Sequence, residues 1–219
     1  MQIFSNGNFF QKTNYLNNLH VNKLKMADYT VLPFVEIEIR LGTQNKNYFD
    51  SSVDKRYFEK INGMLSSGDW KMIDYSDTTE YIKDSTKLIL PTNKVIFKEN
   101  VFTKTHTLSN LPFDIRFSVN QEFKMDSLFT NISKNDSLIR NKKRTSYISD
   151  NFKYDLTIVN ETKNGINNLK HEIEIELLIT SETLKWASEY INDFLECKIY
   201  DLVNIVEPIN RDTFKIKLF

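Results

Sequence analysis

Two stretches of this 219-residue chain carry carboxylates at a spacing that could do chemistry. In Val35–Leu41 (VEIEIRL), Glu36, Glu38 and Arg40 alternate with Val35, Ile37, Ile39 and Leu41. In His171–Ile179, Glu172, Glu174 and Glu176 alternate with Ile173, Ile175 and Leu177. Strand neighbours i and i+2 project to one side, about 6.5–7 Å apart. Carboxylates stacked this way repel, and for either strand alone a solvated outer face is the ordinary explanation. A third stretch changes the balance: Arg140, Lys142 and Arg144, with Ser146, put cations on one face. Acidic side chains from two strands can converge on a hard divalent cation such as Mg²⁺ or Mn²⁺, which prefers oxygen ligands. Arginine forks and lysine point charges opposite them would hold a polyphosphate.

Such ladders need strands with two different faces. Ile115–Phe123 carries Arg116, Ser118, Asn120 and Glu122 against Ile115, Phe117, Val119 and Phe123. Phe152–Val159 sets Lys153, Asp155 and Thr157 against Phe152, Tyr154, Leu156 and Ile158. Lys87–Leu90, Lys94–Lys98 and Val101–Thr107 read as shorter strands broken by Pro91 and Asn100. Asn-rich turn chemistry at 160–168 joins the last two strands as a hairpin. Helical spacing predicts amphipathic helices over Ser52–Leu65 and Ser181–Val206. Residues 1–30 read as an N-terminal arm with a helix around Gln11–Met26, and 31–219 as one domain. A closed barrel lined by the ionic faces, with its apolar side outward under the helices, inverts the usual barrel plan.

Composition narrows the function classes. Lysine plus arginine and aspartate plus glutamate both number 29, so a basic nucleic-acid coat and an acidic tail are excluded. The one cysteine, Cys197, cannot form an internal disulfide, and three scattered histidines (His20, His106, His171) do not make a zinc site. Cys197 also lacks the downstream arginine of a Cys-x₅-Arg phosphatase loop. The five glycines do not cluster as a P-loop or dinucleotide fingerprint requires. No secretory signal or membrane-length apolar run is present, so the expectation is a soluble intracellular protein without a membrane partner.

In order along the chain, VEIEIRLG (35–42), RNKKRTSY (140–147), KYDLTIV (153–159) and HEIEIEL (171–177) resemble the metal-dependent RNA 5′-triphosphatases of fungi and large DNA viruses. These belong to the triphosphate tunnel metalloenzymes, and the resemblance runs from about Val35 to Leu195. It implies a mainly β, α+β fold: an eight-stranded antiparallel tunnel with a polar interior and helices packed outside. It implies Glu36, Glu38 and Glu176 as ligands of Mg²⁺ or Mn²⁺, Glu174 as the carboxylate orienting the attacking water, and Glu172 as a further essential acid. Arg116, Lys142 and Arg144 match the γ-phosphate clamp. Arg40, Arg140, Lys153, Asp155, Thr157 and Glu122 fit the substrate-binding wall. The implied substrate is the 5′-triphosphate end of RNA in mRNA capping, with a guanylyltransferase as a further partner.

The family often has arginine where this chain has Lys153. Trp70–Thr107 matches no family segment, leaving Lys87, Lys94 and Lys98 as candidate tunnel residues there. Three readings stay open: an RNA triphosphatase, a tunnel phosphatase acting on nucleoside triphosphates or inorganic polyphosphate, and an inactive triphosphate-binding scaffold. The closing ExExE strand favours the first, since the small-molecule branch opens with ExExK.

Overall fold

Alternating apolar and ionic residues force each long strand to choose between two environments, and a closed wall supplies both. The computed structural model describes residues 34–108, 111–125 and 137–218, so the expected arm at 1–30 and its helix lie outside the described residues. Nine strands follow in chain order: β1 (Val35–Gln44), β2 (Phe49–Asp50), β3 (Met72–Lys83), β4 (Thr86–Leu90), β5 (Lys94–His106), β6 (Asp114–Met125), β7 (Leu138–Ile148), β8 (Phe152–Lys163) and β9 (Ile166–Leu177). The order around the wall is β1-β6-β5-β4-β3-β7-β8-β9, and pairing of β1 with β9 closes it as an eight-stranded barrel, with β2 added outside on β1. Every pairing is antiparallel. Closure removes the open edges that an eight-stranded sheet would otherwise expose.

The hydrophobic core sits outside this wall. Ile37, Ile39, Leu41, Ile115, Phe117, Ile173 and Ile175 turn outward and are buried against two helices, α1 (Lys55–Ser66) and α2 (Ser188–Val206). Phe58, Ile61 and Leu65 of α1 and Ile191, Leu195, Ile199 and Leu202 of α2 meet them. Burying this area drives the fold and hands the barrel lumen to polar side chains. Asp54 caps α1, its carboxylate accepting from the Arg56 N–H at 2.8 Å. The 163–166 turn joining β8 to β9 has positive φ at Asn164 and Gly165 (51° and 77°), the pairing of signs that a tight two-residue hairpin loop needs.

Three elements differ from the sequence expectation. Lys94–Lys98 and Val101–Thr107 form one strand, β5, whose register shifts between Asn100 and Phe102; a bulge absorbs the extra residue that looked like a break. The second helix begins at Ser188 rather than Ser181, because the Thr183 hydroxyl ties down a short 3₁₀ turn at Thr183–Lys185 and Trp186 is extended. The first helix spans Lys55–Ser66, three residues inside the expected start. Among the described residues no helix is long and apolar enough to cross a membrane.

Candidate active site

The register delivers the two acidic strands to each other. Across the closing seam Glu38 lies opposite Glu176, and Arg40 lies opposite Glu174. On the other side of β1, Glu36 faces Asn120 and Glu38 faces Ser118. Glu36, Glu38 and Glu176 therefore share one region of the lumen. Lys98 of β5 reaches into it, pairing with Glu36 and lying 3.4 Å from Glu38 and 3.5 Å from Glu122. Lys87 holds Glu122 at 2.9 Å, and Lys153 holds Glu176 at 2.9 Å. Burial and the adjacent Glu38 carboxylate push Glu36 up to about 7, although Lys98 opposes them. Burial also raises Glu176, against the pull of Lys153. These carboxylates are crowded and under-compensated.

Farther along the lumen the balance reverses. Arg144 donates to Asp155 at 2.8 Å, to Glu174 at 3.2 Å and to the Thr157 hydroxyl at 3.0 Å. Asp155 is fully buried; it also accepts from Ser146 at 2.5 Å and pairs with Lys153 at 3.0 Å, so it acts as a fixed anchor for two cations. Arg40 bridges Glu38 (3.1 Å) and Glu174 (2.8 Å). Burial would raise Glu174, but the guanidiniums of Arg40 and Arg144, with Lys142 and Lys98, hold it well below the usual carboxylate range. A carboxylate held down so far is a weak base and a persistent hydrogen-bond acceptor, suited to orienting a water molecule. Arg140 grips Glu172 at 2.6 Å and lies 3.4 Å from Glu161, while Ser51 donates to Glu172 at 2.7 Å. Arg116 has no ion-pair partner among the described residues; its guanidinium lies 4.8 Å from the centre of the Phe49 ring.

All fourteen residues singled out in the sequence line the same lumen, and the structure adds others. Glu80 of β3, 6% exposed, pairs with Lys142 at 2.9 Å, and the lysine outweighs burial to draw its carboxyl down. Asn100 donates to Asn120 at 2.9 Å, and Asn120 donates to Glu38 at 3.2 Å, a relay that fixes one carboxylate oxygen. Of the three candidate lysines, Lys87 and Lys98 enter the tunnel network, whereas Lys94 is exposed. Asn100 sits at the bulge, so no alternation in the sequence signals its inward turn.

Among the described residues no three acidic, imidazole or thiol side chains are arranged as a metal cage, and lysines pair with the carboxylates of Glu36 and Glu176. The chemistry of the donor set nevertheless fits a hard divalent cation: all-oxygen ligands, two of them cross-strand neighbours, with two carboxyls raised by burial and by neighbouring carboxylates. Two guanidinium Nε atoms, of Arg40 and Arg116, are buried with neither a hydrogen-bond acceptor nor an ion-pair contact. Donors left over in this way suit an anionic ligand.

Known proteins share this architecture. The sequence pattern of the family described as mRNA capping enzyme, beta chain, matches residues 85–213, from β4 to beyond α2. No curated protein matches the chain in sequence. Among solved structures, the S. pombe Pct1 RNA triphosphatase is similar with a TM-score of 0.60 at 18% identity, over 94% of this chain and 91% of the solved Pct1 chain. Pct1 in complex with the Spt5 CTD gives a TM-score of 0.58 at 17% identity, covering 94% and 92%. The Mimivirus capping enzyme triphosphatase gives 0.53 at 14% identity, covering 93% and 100%. At these identities the likeness is one of fold, and the family pattern supplies the rest. Since that pattern takes in more than half of the sequence, including the β7, β8 and β9 ladders, the chain belongs to the mRNA capping enzyme beta-chain family of RNA triphosphatases.

Proposed function

We propose that the protein hydrolyses the γ-phosphate of 5′-triphosphate RNA, leaving a diphosphate end, as the first step of mRNA capping. The observation that carries this reading is the sorting of charge within one closed lumen: carboxylates of β1 and β9 across the seam, cations of β6 and β7 around them. Glu36, Glu38 and Glu176 would hold the divalent cation, Mg²⁺ or Mn²⁺, which when bound neutralises charge on the γ-phosphoryl oxygens. Arg116, Lys142 and Arg144 clamp that phosphoryl group. Glu174 orients the attacking water in line with the leaving oxygen, and Glu172, held by Arg140, supports it. Arg40, Arg140, Lys153, Asp155, Thr157 and Glu122 form the wall that fixes these groups. No covalent enzyme intermediate is required.

The tunnel domain, residues 31–219, works inside the cell, where nascent RNA ends are made. A guanylyltransferase, which consumes diphosphate ends, is the partner this reaction order calls for. The structure of Pct1 with the Spt5 CTD supports the idea that tunnels of this fold recruit protein partners. The test is phosphate release from 5′-triphosphate RNA and from tripolyphosphate, with Mg²⁺, Mn²⁺ or EDTA. Release from RNA that requires metal and is lost in Glu38→Ala is expected. Full activity in EDTA would overturn the metal assignment. Hydrolysis of tripolyphosphate without action on RNA ends would move the substrate to free polyphosphates.

A further inference from the structure

We propose that Phe49, on the short strap that follows β1, is a positioning residue for the clamp cation Arg116. The inference rests on the reading of the lumen as a triphosphate site and assigns a part to a segment no tunnel motif covers. Strap strand β2 pairs back on β1, Thr43 with Asp50 and Gln44 with Phe49. It is tied down beyond that point by Ser51, which donates to Glu172 at 2.7 Å, and by the Val53 N–H, which donates to the His171 carbonyl at 2.8 Å. Gly42 makes the crossing possible. A Cβ there would meet the Asp50 carbonyl oxygen at 2.1 Å and the Phe49 ring at 2.6 Å, the first of which is backbone and cannot yield.

Arg116 needs such a support. Its neighbour across β1 is Arg40, a like charge; burial and Arg40 lower its proton affinity, against a weaker opposing pull from Glu38, Glu174 and Glu172, none of which pairs with it. Arg40, Arg140 and Arg144 are each steered by carboxylates, whereas Arg116 has none among the described residues, and its buried Nε lacks an acceptor. The Phe49 ring, 4.8 Å from the guanidinium carbon, supplies the direct contact that no carboxylate makes. A ring differs from a carboxylate in what it consumes. A carboxylate occupies N–H donors in the guanidinium plane, while a ring holds the cation through its face and leaves those donors for phosphate oxygens. Phe49 thus keeps one clamp residue in place without neutralising it.

The test is a double-mutant cycle read as tripolyphosphate affinity, by calorimetry in EDTA so that no turnover intervenes, and as kcat and KM on 5′-triphosphate RNA with metal. Phe49→Leu keeps apolar bulk but no π face, and should weaken tripolyphosphate about tenfold. Phe49→Tyr should restore it. In an Arg116→Ala background Phe49→Leu should have no further effect, the signature of two groups acting as one. Phe49→Leu that binds like the native protein, or that adds its full loss to Arg116→Ala, overturns the proposal. A leucine that lowers the melting temperature as much as it lowers affinity, with tyrosine failing to rescue binding, assigns Phe49 to packing and overturns it as well. The calorimetric arm reads binding alone, so an absence of RNA hydrolysis alongside the expected affinity cycle would strike the substrate reading and leave this one standing. A native protein that binds no tripolyphosphate removes both.

Discussion

Ile39 and Glu38 are adjacent on the same strand, yet they belong to different molecules in an energetic sense. Ile39 turns outward into a core shared with α1 and α2 and is fully buried there. Glu38 turns inward to Asn120, Arg40 and Lys98. The outer face has no polar network to satisfy and gains from every apolar atom removed from water. The inner face gathers buried ions whose desolvation offsets most of their mutual attraction. One wall therefore separates the part that holds the fold from the part that holds the charge, with a single peptide bond between them.

The sharpest way to break this comparison is to change one residue on each face. Glu176→Gln removes a carboxylate that burial already pushes toward its neutral form, so phosphate release should fall by about a hundredfold or more while the melting temperature holds or rises. Ile39→Ala should do the reverse, costing about 2–5 kcal/mol in denaturant unfolding while the folded fraction keeps its kcat. Equal effects of both variants on both measurements would dissolve the distinction. A smaller change comes from the relay behind Glu38. Asn120→Ala leaves the charges intact and frees one carboxylate oxygen, so metal affinity by titration calorimetry should fall about 10- to 100-fold. An unchanged affinity would mean that Arg40 and Lys98 alone fix that carboxylate.

The smallest expected effect is one of pH. Glu36 sits near 7 in the fold, above its ordinary 4.5, so the folded state holds a proton that the unfolded chain has released. Its contribution to stability is fully present below about 4.5 and is lost as pH rises through about 7. Melting curves in EDTA from pH 5 to 8 should show the native protein losing ground to Glu36→Gln as pH rises. Adding Mg²⁺ or Mn²⁺ at pH 8 should close the gap. Parallel curves would show that Lys98 already compensates the charge in full.

The same division governs how much could be read from the sequence. β1, β6, β8 and β9 alternate because most of their outer faces lie under helices, so ionic and apolar residues sort with few exceptions, Gln121 and Val159 among them. β3 has no helix over most of its length; Ile73 and Tyr75 are exposed, and Asp77 and Thr79 share their face. Water on one side and ions on the other leave no period-two signal, and Glu80 went unnoticed with its strand. Asn100 was obscured by the β5 bulge, which slips the alternation by one residue in mid-strand, whereas Lys98, ahead of the slip, stood among the candidate lysines. The strap carrying Phe49 was invisible because two residues of strand are too short to show a period. The ladders themselves were legible since three like charges in alternation are rarely tolerated without an opposite set to meet them.

The seam between β1 and β9 has a consequence for how the protein comes to exist. Its two strands are the first and last of the barrel, so Glu38 and Glu176 meet only after the intervening chain has been made and threaded around the wall. Contacts so distant in sequence form late and slowly, because the entropy of closing a long loop precedes any return from it. A ribosome-bound chain that ends before β9 holds two of the five ladder carboxylates and no closed lumen. Competence arrives in one step, at closure, and a nascent or truncated chain stays inert.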